Sequence, residues 1–486
     1  MSSFRKTSVF ALKWAFISKL GHQILHFAAS IILARILAPE DFGIIGMVSV
    51  FTSFAMIFSN FGFGNAIIQK KEATKKEVDT VFWLNFFLGV LLLLLFYFLF
   101  DKAIANFYND NRLIEVTQII AFVFLLRASS AIPMALLTKN LRFKEIGIAT
   151  IIAFVISTGI AITMALNGYG YISLAYREII NAAILLVLVV VILKYYPKHF
   201  FSWTRLKPFI KFGTNLTGNR ILTQLMRRLD NLLIGKMLGQ YELGLYDRSY
   251  KIMMFPLQNI SNVIKQVMFP AFSSIQENRD KIKSVYLKVT QAIAYVTFPL
   301  IIVIFVLSHI IVYVLLGEKW MEMVPVLRLL VLVAIPQVIL TLNGTIYQAI
   351  GKPHIPFRLN SIQIIFLILS FYFGIKLMGL TGLIIGYLFV NIIFFYPVFY
   401  FAAREIHLKF REQMYNLKWI VLNSIIIGLL IYVGDKLMID ISEYIRFFTL
   451  IPFAVIIYLV LSYFQKDKMY ITTEGYLKLM EIIKRK

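Results

Sequence analysis

One stretch of the chain, from Lys211 to Lys251, limits the possible folds more than any other. It has the length of a membrane-spanning helix, yet it carries polar and charged side chains throughout. Several recur at helical spacing and so share one face: Arg220, Gln224, Arg227 and Asn231. An arginine at the middle of a bilayer costs about 2.5–3.5 kcal/mol on insertion scales. We therefore predict that this face meets water rather than lipid.

The same pattern occurs in the first helix of the chain. An offset of 201 positions pairs Lys19 with Arg220, Gln23 with Gln224, His26 with Arg227 and Ser30 with Asn231. The match continues without a gap from LARILAPEDFG (33–43) to IGKMLGQYELG (234–244). We interpret this as an internal repeat whose two mostly cationic stripes line a positively charged, water-filled cavity.

The composition is typical of a membrane protein. Of 486 residues, 59% are hydrophobic and only 15% are charged, and long uncharged runs such as Phe82–Phe100 could cross a bilayer. The absence of cysteine excludes disulfides, thiolate metal sites and cysteine nucleophiles. We predict fourteen spans, at roughly 11–37, 42–68, 79–100, 114–136, 146–166, 171–193, 208–236, 243–269, 288–316, 323–350, 357–377, 379–402, 416–434 and 445–464.

The connections between these spans predict the orientation. Lys and Arg outnumber Asp and Glu by 49 to 25 and fall mostly in one alternating set of connections, which places both termini in the cytoplasm. Because the repeat covers six spans, an even number, both halves cross the membrane in the same sense. The predicted fold is an all-α membrane protein with two six-helix lobes in a parallel repeat, 1–200 and 201–404. Helices 13 and 14 and an amphipathic cytoplasmic tail follow in 405–486.

Cations inside the predicted spans form the candidate binding site. Lys19, Arg127, Arg220 and Arg227 lie too deep to reach the membrane interface by snorkelling, so they pair with acids or face the cavity. The predicted substrate-binding residues are Lys19, Gln23, His26, Arg127, Arg177, Arg220, Gln224, Arg227, Arg228, Asn231, Arg248 and Lys251.

The acidic residues and histidines in the same spans can be explained by contacts with residues nearby in the sequence. Asp230 could pair with Arg227, and Glu178 forms an ion pair with adjacent Arg177 rather than acting as a general acid. His22 and His26 have the spacing of a zinc pair, but no third ligand lies nearby, so no metal is predicted. No nucleotide-binding loop occurs, so ATP hydrolysis and other cofactors are not expected. Coupling to a proton or sodium gradient stays open.

Longer phrases carry a family resemblance. LARILAPEDFGIIGMVSVF, FGFGNAIIQKKEATKKEV and RRLDNLLIGKMLGQYELGLYDRSYKIMMFPLQNI resemble the polysaccharide flippase branch of the multidrug/oligosaccharidyl-lipid/polysaccharide exporter superfamily. Its members with O-antigen-, colanic-acid- or teichuronic-acid-like cargo are the most similar. The resemblance implies a non-enzymatic flippase of the bacterial cytoplasmic (inner) membrane. It would move an undecaprenyl-pyrophosphate-linked oligosaccharide to the outer leaflet by alternating access, with a polysaccharide polymerase and co-polymerase as candidate partners.

The residues themselves agree with an anionic lipid as cargo. A pyrophosphate can be held in a cationic cavity by charge-assisted hydrogen bonds, and arginine can bind it with two parallel bonds. A lipid II flippase would also have a cationic cavity and stays an alternative. A multidrug cation extruder would need luminal carboxylates, and a membrane glycan polymerase or ligase would need larger outer loops. Nucleic acid is not expected as a partner, because the net charge of +24 follows from the cytoplasmic connections.

Overall fold

The fold is built from helices and the turns that join them. The computed structural model describes residues 2–59, 63–70, 72–203, 224–352 and 354–465, together with Met469, and the structural statements below concern these residues. No strand occurs among them, which confirms the predicted all-α class. The chain divides into two compact units, Met1–Gly244 and Leu245–Lys486, and each is described by itself.

The first unit is a bundle of helices. Its helices are α1 (Ser2–Ile36), α2 (Pro39–Ser59), α3 (Phe63–Gln69), α4 (Lys75–Leu95), α5 (Asp101–Tyr108), α6 (Arg112–Lys139), α7 (Phe143–Leu166), α8 (Tyr171–Leu193) and α9, which is described over 224–237. A π-helical turn, Phe96–Phe100, joins α4 to α5 in one continuous rod.

The second unit is also a bundle of helices, and α10 begins just before the boundary between the units. Its helices are α10 (Gln240–Ser274), α11 (Arg279–Val306), α12 (Ser308–Leu316), α13 (Met323–Ile339), α14 (Asn343–Ala349), α15 (His354–Glu405), α16 (Phe410–Leu437) and α17 (Glu443–Phe464). Buried side chains of α11, α12, α16 and α17, Ile311 and Ile431 among them, share one apolar core. The last two helices, α16 and α17, therefore pack directly against α11 and α12.

Helix length and surface chemistry fit a bilayer. Among the described residues, ten helical segments are long and apolar enough to cross a membrane. Large apolar side chains such as Phe98, Leu377 and Phe448 are more than half exposed. Apolar surface on this scale needs lipid to cover it. The chain is therefore a multi-pass membrane protein. The count of fourteen spans, the two-lobe arrangement and the predicted boundaries at residues 200 and 404 stay predictions.

Helix α15 is interrupted at a glycine. Met378 and Gly379 leave the helical conformation, and Gly379 has a φ of 60°, which glycine adopts without steric cost. The two arms fold back on each other, so that the Cα of Gly374 packs on the backbone of Gly382. Close backbone approach through small residues is how helices associate inside membranes. The break lies between the predicted spans 357–377 and 379–402.

A second pair of glycines joins the start of α2 to the start of α10. A Cβ on Gly43 would overlap the carbonyl oxygen of Gln240, and a Cβ on Gly244 would overlap that of Pro39. The 201-residue offset found in the sequence pairs Gly43 with Gly244 and Pro39 with Gln240, so the two contacts are made by equivalent residues. Within the first unit, the two contacts are therefore reciprocal between positions that the repeat pairs.

Two proline-containing helices repeat a smaller detail, one in each unit. Pro133 lies inside α6 and Pro336 inside α13. Five residues after each proline, a threonine hydroxyl donates a hydrogen bond of 2.8 Å to the carbonyl oxygen four residues earlier; these threonines are Thr138 and Thr341. Prolines are tolerated in membrane helices where nearby polar groups compensate the disturbed backbone. The two helices carry the same local arrangement.

The segment that follows α8 is fastened to the start of α4. Asp79 is completely buried and accepts hydrogen bonds from the Tyr195 hydroxyl at 2.7 Å and from the His199 Nδ1 atom at 2.9 Å. The backbone N–H groups of Lys198 and His199 also donate to it, each at 3.1 Å. Burial and the bond to Asp79 raise the pKa of Tyr195. One carboxylate thus holds the chain where it leaves the first bundle.

Candidate functional site

The first unit holds two arginines on one carboxylate. Arg127 on α6 donates a hydrogen bond of 3.3 Å to Oε2 of Glu178 on α8. Adjacent Arg177 donates one of 3.0 Å to Oε1 of the same side chain. The predicted ion pair of Arg177 with Glu178 is present, and Arg127 joins it from another helix. We call these three residues the arginine pair with its carboxylate. Two positive charges and one negative charge leave the group with a net positive charge.

The arginine pair lies well inside the apolar part of its helices. At about 1.5 Å per residue, Arg127 lies about 18 Å from the nearer end of α6 and Glu178 about 10 Å from the nearer end of α8. The side chain of Arg127 is 42% exposed and that of Glu178 is 36% exposed, whereas Arg177 is 17% exposed. The group is therefore deep in the helices and still open to a ligand on one side.

A histidine-bearing face of α1 lies beside this group. The ring of His26 stacks on Phe154 of α7, with centroids 5.2 Å apart and an angle of 28° between the rings. His22 meets the same Phe154 edge-on, also at 5.2 Å. The imidazole of His26 is within electrostatic range of Glu178. His26, Arg127 and Arg177 are thus three predicted site residues that the structure brings to one place.

The second unit has its own charged cluster near the start of α10. Arg248 donates a hydrogen bond of 2.9 Å to Oδ2 of Asp247, and Lys251 donates one of 2.7 Å to the same oxygen. Arg248 and Asp247 are buried, whereas the ammonium of Lys251 reaches the surface. Here too, two cations share one carboxylate.

The polar face of α9 is not uniform. Arg227 is exposed, Arg228 and Gln224 are half-buried and Asn231 is buried. Among the described side chains, Arg227 makes no ion pair, so the pairing with Asp230 is not formed; the Asp230 carboxylate instead accepts a hydrogen bond from the backbone N–H of Asn231 at 2.7 Å. The exposed guanidinium of Arg227 is available to a ligand.

Three further site residues need separate mention. Gln23 is half-buried on α1. Arg220 lies outside the described residues, and so does the side chain of Lys19, although its backbone is part of α1. In the part of the chain that the structure describes, no three His, Asp or Glu side chains converge as a metal site would require. The spacing of His22 and His26 is accounted for by their contacts with Phe154.

Two contributors to this site lay outside the predicted set. Glu178 was expected to pair only with its neighbour, because Arg127 lies 51 positions away on another helix. In the sequence, Glu178 is distinguished as the one acidic residue in the span Tyr171–Leu193. Intramembrane acids usually pair with a cation or line a pathway. Phe154 is one of many phenylalanines in apolar spans, and nothing in the sequence distinguishes it.

Comparison with known proteins identifies the family to which the sequence is similar. The sequence model of a family described as "Polysaccharide biosynthesis protein" matches residues 32–325. An uncharacterized membrane protein in the cps region of Klebsiella pneumoniae is 29% identical over 394 residues, covering 79% of this chain and 80% of that protein. The teichuronic acid biosynthesis protein TuaB of Bacillus subtilis (strain 168) is 28% identical over 398 residues, covering 81% and 82%.

A solved structure has the same fold. The lipid II flippase MurJ in an inward closed conformation superposes with a TM-score of 0.74, over 93% of this chain and 98% of that one, at 16% identity. At this identity the likeness establishes the fold only.

The fold and the charged groups define a class: an all-helical, multi-pass membrane protein that keeps cations at membrane depth. Within that class, the family match covers more than half of the chain. The chain belongs to the polysaccharide biosynthesis protein family, and the resemblance found in the sequence is confirmed at that level.

Proposed function

We propose that this chain is a flippase, without enzymatic activity, for undecaprenyl-pyrophosphate-linked oligosaccharide repeat units. It would carry them from the cytoplasmic to the outer leaflet of the bacterial cytoplasmic membrane by alternating access through a cationic central cavity. The observation that carries the proposal is the arginine pair with its carboxylate. Arg127 and Arg177 keep an uncompensated positive charge deep inside apolar helices, where it is costly unless it serves a ligand.

The chemistry of the charged groups selects an anionic lipid. A pyrophosphate is a multiply charged anion, and guanidinium groups bind phosphate oxygens through charge-assisted, often bidentate hydrogen bonds. The polyprenyl tail would stay in the bilayer while the sugars occupy the aqueous cavity. The names of the relatives, which concern polysaccharide biosynthesis, support this cargo.

Each predicted site residue has a role in this proposal. Lys19, Gln23, His26, Arg220 and Arg227 would attract the pyrophosphate from the cytoplasmic leaflet, with Gln224, Arg228 and Asn231 beside them. Arg127, Arg177, Arg248 and Lys251 would receive it as the transporter opens outward. The coupling ion is left open between proton and sodium. A polysaccharide polymerase and co-polymerase would act on the product.

Two alternatives have different support. A lipid II flippase is compatible with the same charges and with the shared fold of MurJ. A multidrug cation extruder is disfavoured, because Glu178 and Asp247 are each held by two cations and so are not free to bind a cationic drug.

An experiment in cells tests the function. In a strain that lacks the gene, plasmid copies with Arg127→Ala, Arg220→Ala or Arg227→Ala should fail to restore surface polysaccharide while reaching wild-type levels in the membrane. Arg112→Ala is a matched control, because Arg112 is also partly exposed and ion-paired, with Asp110, but at the end of its span. Normal polysaccharide from the Arg127 and Arg227 variants would contradict the proposal. Rescue of a strain that lacks its lipid II flippase would favour that alternative.

A further inference from the structure

Glu178 uses only part of what its two arginines can donate. Each guanidinium carries five N–H donors, and the described bonds to Glu178 use one from each. The Nε atom of Arg127 is buried and has no hydrogen-bond partner among the described residues. Buried donors are nearly always satisfied by protein, water or a ligand, and the described residues supply no partner for this one. The donors that remain could bind a second anion.

A second anion would compete with the carboxylate already present. Carboxylate and phosphate oxygens are interchangeable partners of a guanidinium, and both reach it in the plane of its N–H groups. Glu178 and Arg127 are both more than one third exposed, so an incoming phosphate can reach the bonds between them. A phosphate oxygen that takes the Nη2 donor of Arg127 would displace the carboxylate from it.

We propose that Glu178 is an internal competitor for the phosphate site. Its carboxylate occupies Arg127 and Arg177 between transport cycles and gives way when a pyrophosphate binds; this inference rests on the proposed function. A competing carboxylate at Glu178 would meet two requirements of the transporter. Two unpaired arginines at this depth would destabilise the empty protein. A guanidinium pair without a competitor would hold the pyrophosphate too tightly to release it at the outer leaflet.

A purely structural ion pair predicts something different. If Glu178 only positions the two arginines, removing its charge would misplace them and weaken anion binding. If Glu178 competes, removing its charge strengthens binding and slows release. The sign of the change in affinity therefore separates the two explanations.

The test uses the purified full chain in lipid nanodiscs, with undecaprenyl pyrophosphate as the probe and uncharged undecaprenol as the matched control lipid. Glu178→Gln should lower the Kd for undecaprenyl pyrophosphate at least tenfold and slow its dissociation, with no change for undecaprenol. Adding Arg127→Ala to Glu178→Gln should remove the gain. Glu178→Asp, which keeps the charge on a side chain shorter by one methylene, should give an intermediate Kd and serves if the glutamine variant does not fold.

The outcomes separate this inference from the function beneath it. A Kd that is unchanged or higher in folded Glu178→Gln protein, while the wild type binds undecaprenyl pyrophosphate, overturns the competitor and leaves the flippase intact. If the wild type binds undecaprenyl pyrophosphate no better than undecaprenol, the proposed function itself fails, and the competitor with it.

Discussion

The Cα of Gly43 in α2 packs directly on the carbonyl oxygen of Gln240 at the start of α10. Its repeat counterpart, Gly244, makes the same contact with Pro39. Neither glycine can carry a side chain unless the two segments move apart. These reciprocal contacts connect the sequence repeat to a specific geometry and lead to the first prediction.

Gly43→Ala and Gly244→Ala should each destabilise the protein by a similar amount. A methyl group forced against backbone typically costs about 1–3 kcal/mol, and here the obstacle is a carbonyl that cannot rotate away. Thermal unfolding of the purified protein in detergent measures the effect. Gly159→Ala is the matched control, because a Cβ there meets nothing within 4 Å. It should be neutral or stabilising, since alanine favours helix by up to about 1 kcal/mol. Equal melting temperatures for all three variants would refute the close contact.

A second prediction concerns the buried carboxylate that fastens the segment after α8. Asp79→Ala would leave the two backbone N–H groups of Lys198 and His199 without their acceptor, and each unsatisfied donor costs about 1–3 kcal/mol. We expect a lower melting temperature and faster proteolytic cleavage near residues 195–199. Tyr195→Phe removes one hydrogen bond and leaves the backbone donors satisfied, so it should have the smaller effect. Cleavage of the Asp79→Ala variant at the wild-type rate would count against this role.

A third prediction uses the natural absence of cysteine in the chain. A single cysteine at Lys75, at the start of α4, should react with a membrane-impermeant thiol reagent only after the cells are permeabilised. A cysteine at Asn109, in the turn after α5, should react in intact cells, because basic connections remain in the cytoplasm. Labelling of both positions in intact cells, or the reverse pattern, would contradict the predicted orientation.

Much of the fold follows from the sequence alone. The predicted spans that lie among the described residues fall on helical segments, because apolar stretches of this length have few other options in a bilayer. The spans 288–316 and 323–350 are each divided between two helices, α11 with α12 and α13 with α14. Two predicted spans meet at residues 377–379, and the structure breaks α15 there, at Met378 and Gly379. The 201-residue offset pairs Gly43 with Gly244, and the structure gives these two glycines reciprocal contacts that the sequence alone did not predict. The apolar spans and the glycine break are each encoded within a short segment, whereas the repeat is recognised by comparing two segments 201 residues apart.

The site was less accessible to sequence reasoning. Local spacing suggested that Arg227 could pair with Asp230, yet this ion pair is not formed and Arg227 is exposed. The long-range pairing of Arg127 with Glu178 depends on how α6 packs against α8, which no periodicity within either helix reveals. The contact of His26 with Phe154 has the same origin. Spacing along one helix identifies which residues share a face, and it does not identify the partner that the face meets.

The most direct test of the central claim is lipid translocation by the purified chain. Vesicles that contain the chain and an undecaprenyl-pyrophosphate-linked oligosaccharide are treated with an impermeant glycosidase, and the fraction of glycan cleaved is followed with time. Wild-type protein and the Arg112→Ala control should expose nearly all of the glycan, whereas Arg127→Ala and Arg227→Ala should leave the inner half protected, as in protein-free vesicles. Equal cleavage by the wild type and both cation variants would show that Arg127 and Arg227 do not carry the pyrophosphate.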